Sequence, residues 1–150
     1  MKKYLLIAGV AAFLFSANHS QAQHSFKVVT IVESIVPGGL GRSRIIETKE
    51  ETDLDVLTTE RTDGKKSNQG SVRRKDVKVD NFMETKLLNF YSMTGINFQN
   101  IASNDAAIGA KINELLEKGW NLTYVTSGVE GDSGKDDGTG IFITRLFFSR

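Results

Sequence analysis

The stretch SNDAAIGAKINELLEKGW, residues 103–120, is the clearest helix signal in the chain, and strand-patterned segments lie on either side of it. Ile108, Ile112, Leu115 and Leu116 fall at i, i+4, i+7 and i+8, the spacing of one helical stripe. Ser103, Asn104 and Asp105 are all good N-caps, so the spacing predicts a helix over 105–118. Glu114 and Lys118 stand four apart in the favourable order. Gly119 supplies a left-handed stop, and Trp120 just beyond it can fold back on Leu115 or Leu116. A single amphipathic helix must lay its stripe on something, and the rest of the chain offers strands.

Residues 26–32 (FKVVTIV) are rich in β-branched side chains and apolar on both faces from Val28 onward, which predicts a well-covered strand. Residues 44–48 (RIIET) start a second strand, and residues 121–127 and 141–148 close the chain as two more. Between the first two lies IVPGGLGRSRII, residues 35–46, which holds the chain's only proline. Its glycines lack the spacing and the lysine of a P-loop, and a strand follows where a dinucleotide loop would open a helix. Pro37-Gly38 reads as a turn, with Arg42 and Arg44 as candidate anion-binding residues beside it. The expected fold is α+β, a small antiparallel sheet packed by one main helix in the C-terminal half.

Residues 49–80 are polar and charged, with a turn signal at Asp63-Gly64 and flexible composition over 65–71. They read as an extended hairpin or a mobile excursion, with a strand at 55–61 (DVLTTER). Arg73, Arg74 and Lys75 form a solvated charge run beside Asp76. Residues 82–101 are apolar again and hold three of the nine phenylalanines, with 86–91 as a short strand or helix. The aromatic-rich part, residues 82–98, suits the lining of a groove as well as a core.

The first 22 residues carry the three-part plan of a bacterial secretory signal: Lys2 and Lys3, an apolar run over 4–15, and Ser20-Gln21-Ala22 before the cut. The run is too short for a membrane span, which needs about 20 apolar residues. With no cysteine, a lipid-modified anchor is excluded, and so is any disulfide. Cleavage would leave a single domain over 23–150, secreted or periplasmic, with 17 basic against 18 acidic residues and a net charge of −1. That balance gives no reason to expect nucleic acid as a partner.

The motifs KVVTIV, INELLEKGWNLTYV and ITRLFFSR resemble the bacterial domain-of-unknown-function family number 4177, over about a third of the processed chain. The resemblance implies a small α+β domain and no activity. Asn121 stands where that family usually has Glu after the Trp, and residues 34–103 are far longer than the family's own connection.

Chemistry is thinly supported. Gly131-Asp132-Ser133-Gly134 spells a serine-protease nucleophile motif, but His24, the only histidine after the signal, sits at the new terminus, far from a rigid triad position. Asp132, Asp136 and Asp137 are candidate calcium ligands, although the sixth and twelfth positions of an EF-hand loop are not met: counted from Asp132, Gly138 is seventh and Ile143 twelfth. One histidine and no cysteine cannot assemble the usual zinc sites or a Cys–His nucleophile. Arg145 sits mid-strand among apolar residues, which predicts an edge position or a carboxylate partner. No catalytic residue and no cofactor is indicated. The reading is a non-catalytic binding or interaction module whose partner is an envelope or periplasmic protein or ligand; the alternative is a carboxylate-based hydrolase acting on envelope polysaccharide.

Overall fold

A computed structural model of the chain describes residues 25–35, 42–130 and 140–150. Residues 1–22 with the expected secretory signal, His24, the glycines of residues 36–41, and residues 131–139 with Ser133, Asp132, Asp136 and Asp137 lie outside them.

Five strands form one antiparallel sheet: β1 (Phe26–Ser34), β2 (Arg44–Thr48), β3 (Phe82–Lys86), β6 (Asn121–Glu130) and β7 (Ile141–Ser149), in the order β3-β2-β1-β7-β6. A two-residue pair, β4 (Tyr91–Ser92) and β5 (Gly95–Ile96), precedes the main helix α3 (Phe98–Glu117). The fold is therefore α+β, with its one long helix in the C-terminal half. β1 is central because it pairs with β2 on one edge and β7 on the other, but it is not covered on both faces as expected: Val29 and Ile31 are buried, while Val28 on the opposite face is exposed. Val29 pairs with Glu47 of β2 and Leu146 of β7, and Ile31 with Ile45 and Thr144.

These registers divide the side chains between two faces. On one face Val29, Ile31, Ile45, Leu146 and Phe148 are buried together with Leu115 of α3 and Leu87, and Ala107, Ile108, Ile112 and Trp120 pack against them. Gly119 takes φ +80°, the Trp120 N–H donates to the Leu115 carbonyl at 3.0 Å, and the Gly119 N–H to Leu116 at 2.9 Å. That double bond is a Schellman stop, and it delivers the chain straight into β6 with Trp120 folded onto the core. Lys27 and Arg150 both stand over the indole, at 5.5 and 4.7 Å from a ring centroid.

Several expectations are corrected. The helix begins at Phe98, two turns before residue 105, and its cap is Asn97, whose side chain accepts the Asn100 N–H at 3.1 Å. Asn104 lies inside the helix and is buried; it continues the stripe one turn below Ile108. Leu116 is 45% exposed and outside the core. Residues 55–61 are not a strand: Leu54–Leu57 form a one-turn helix, α1, which buries nothing, so no strand neighbour holds it extended. The excursion is not a hairpin either. It runs through α1, a 3-10 turn at Asn68–Ser71 and a second one-turn helix, α2 (Arg74–Val77), before returning as β3. The ordered strand there is 82–86, because its backbone pairs with β2, while residues 87–90 are irregular. The turn at Asp63-Gly64 holds: Gly64 has φ +70°, and Asp63 accepts the N–H groups of Lys65 and Lys66.

Candidate functional site

α3 covers only one side of the sheet. The other side presents Val28, Thr30 and Val32 from β1, Arg44, Ile46 and Thr48 from β2, Phe82 and Glu84 from β3, Ile141, Ile143, Arg145 and Phe147 from β7, and Tyr124 from β6. An antiparallel sheet with one solvated face normally alternates apolar inward and polar outward. Here the outward positions are apolar through the middle of the sheet, with Val28 38% exposed, Phe82 45% and Tyr124 62%.

A groove of about 560 Å³ on this open face is lined by Val32, Arg42, Arg44, Ile46, Thr48, Val79, Phe82, Glu84 and Ile141. Its size lies within the roughly 300–1,000 Å³ of small-molecule sites. The floor is made by registers. Thr30 opposes Ile46, Val32 opposes Arg44, and Thr48 opposes Phe82, so apolar side chains from three neighbouring strands meet. Val79, at the end of the polar excursion, comes down beside Phe82 and closes one side. Arg44 forms an ion pair with Glu84 across the β2–β3 pair. Arg42, exposed at the entry to β2, has no carboxylate within ion-pair distance among the described residues.

Both arginines singled out at the glycine-rich turn therefore stand at one groove. What sequence reasoning missed is the apolar half of it. Phe82 was visible as part of an aromatic-rich segment, but its place beside Ile46 depends on the β2–β3 register, which is non-local.

Arg145 is on β7, an interior strand, and is exposed on the open face, where it lines a smaller hollow of about 340 Å³ with Thr126 and Gly128. It needs neither an edge nor a carboxylate, because none of the described residues covers that face and the guanidinium is exposed. Arg73 is paired with Asp76 at 2.8 Å on the surface.

The helix side holds the ionised network. Glu47 is 8% exposed at its side chain and receives Lys27 at 2.6 Å and Lys111 at 3.3 Å. Lys111 also reaches Glu114 at 2.6 Å, and Lys118 pairs with the other oxygen of Glu114. Burial opposes the charge on Glu47, but the two lysines outweigh it and hold its carboxyl below the ordinary range. Glu114 is lowered to about 2 by hydrogen bonds from Lys111 and Lys118. This network ties β1 and β2 to α3.

Among the described residues the one carboxyl raised above its ordinary value is Glu33, through burial first and the charge of Asp105 last, against the hydrogen bond from Asn104. Glu33 lines neither groove of the open face, so it is not placed as a general acid over a bound chain. Among the described residues no three His, Cys, Asp or Glu side chains converge as a metal site, and no helix is long and apolar enough to cross a membrane.

Comparison with family models, curated proteins and solved structures found no match to any of them.

Proposed function

We propose that the chain is a non-catalytic binding module of the bacterial envelope, which seats an apolar ligand carrying an anionic group in the open-face groove. The observation that carries this reading is the junction of an apolar floor (Val32, Ile46, Phe82, Ile141) with the guanidinium of Arg42 at its rim. Apolar pockets with a few convergent polar groups bind by burying the ligand's hydrocarbon, while the charged group fixes orientation. A guanidinium is suited to this because it presents planar paired donors to a carboxylate or phosphate and is only weakly hydrated. The secretory pattern of residues 1–22 supports an envelope location, and the helix–Gly–Trp–strand unit supports kinship with family 4177.

Titration with dodecanoate tests the reading, with dodecanol and acetate as the uncharged and chainless controls. Saturable binding of dodecanoate, weaker for both controls and weakened at least fivefold by Arg42→Ala, is the expected outcome. Equal behaviour of all three probes would refute it.

A further inference from the structure

The two edges of the sheet are guarded very differently. β3 is five residues long and carries Glu84 and Lys86, the short charged edge with which natural sheets block further pairing. β6 is ten residues long, and from Asn121 to Val129 every residue is exposed and none is charged or proline. Among the described residues β6 pairs with β7 alone, so the N–H and C=O groups that point away from β7 form an open ladder. The strand is apolar on both faces. Leu122, Val125 and Val129 stand on the α3 side, at 38%, 48% and 60% exposure, and Tyr124 stands on the open side. Phe142, opposite Val129 on β7, and Leu116 of α3 are exposed as well.

We infer that β6 is the two-fold interface of a homodimer, pairing antiparallel with β6 of a second copy about Ser127. The register follows from the faces. In an antiparallel pair, opposed residues share a face, so a symmetric pairing of this strand must be centred on a residue. Centred on Val125, the pairing runs into the irregularity between Leu122 and Tyr124 within two residues. Centred on Thr126, it sets Val125 against Ser127. Centred on Ser127, it sets Val125 against Val129 twice over and Thr126 against Gly128, where no atom lies within 4 Å of an added Cβ. Of the three, only the last register opposes two apolar positions, Val125 and Val129, clear of the irregularity; Tyr124 then stands opposite Glu130.

The assembly is a ten-stranded sheet with both α3 helices on one side. The open-face grooves lie toward its two far ends, so both remain accessible.

The absence of cysteine makes the test direct, because a single introduced thiol has no competitor. Opposed Cα atoms in an antiparallel pair lie about 4.5–5.5 Å apart, within disulfide range. In the full chain, Ser127→Cys should form a disulfide-linked dimer under mild oxidation much faster than Lys86→Cys on the β3 edge. Sedimentation should give twice the monomer mass. Val125→Arg should weaken dimerisation at least tenfold while the emission of Trp120 stays unchanged. A monomeric mass at all concentrations, open-ended assembly, or equal cross-linking of the two cysteine variants would overturn the inference.

Discussion

Asn104 and Leu88 are bonded to each other twice: the Asn104 Oδ1 accepts the Leu88 N–H at 2.8 Å, and its Nδ2 donates to the Leu88 carbonyl at 2.7 Å. A buried side-chain amide thus does for an irregular segment what a strand neighbour does for a ladder. The same Nδ2 reaches Glu33 on β1 at 2.9 Å, so one residue joins the helix, the sheet and the connection between them. Beside it the Ser43 hydroxyl donates to Asn89 at 2.8 Å and accepts the Ser34 N–H at 2.9 Å. No buried side-chain polar atom among the described residues lacks a partner.

Asn104→Ala should therefore destabilise the fold by about 1–3 kcal/mol, since the Leu88 N–H and carbonyl lose the buried side chain that bonds both. Urea unfolding measures it. A loss below ~1 kcal/mol would show that water replaces the amide.

The helix stop and the core could be read because both are local. Gly119-Trp120 is a stop signal in itself, and Ile108, Ile112 and Leu115 carry the period unaided. The helix start could not, because the stripe passes through Asn104, a residue whose local tendency is to cap, and because Phe98 in the first turn is 74% exposed. Helices α1 and α2 bury nothing, so no hydrophobic period marks them. Of the candidate site, Arg42 and Arg44 could be found beside the turn. The floor could not, since Ile46, Phe82 and Ile141 meet only through pairings far apart in sequence.

The pH dependence of stability should have two opposed parts. The carboxyls of Glu47 and Glu114 are lowered in the folded state, so their contribution is present above the ordinary carboxylate range near 4.5 and is lost as pH falls toward about 2. Glu114 is partly exposed, so solvent screening makes its share small. Glu33 is raised, so its contribution is greatest at low pH and falls as pH rises through its folded value. Denaturant midpoints should fall from pH 6 to pH 3 in the wild type and fall less in Glu47→Gln. Glu33→Gln, which keeps an acceptor for Asn104, should leave stability at pH 7 unchanged or increased. A Glu33→Gln variant much weaker at pH 7 would contradict this assignment.

Expression in a bacterial host should yield an exported species lacking residues 1–22, read by intact mass. A membrane-bound form that retains Met1 would contradict the envelope assignment.

The central claim is that ligand is held on the open face of the sheet, away from α3. Amide chemical-shift mapping with dodecanoate tests it most directly. The account predicts the largest shifts at Arg42, Ile46, Val79 and Phe82, with little change at Ile108, Ile112 and Leu115. Saturating shifts centred on α3, or none on the open face, would contradict it.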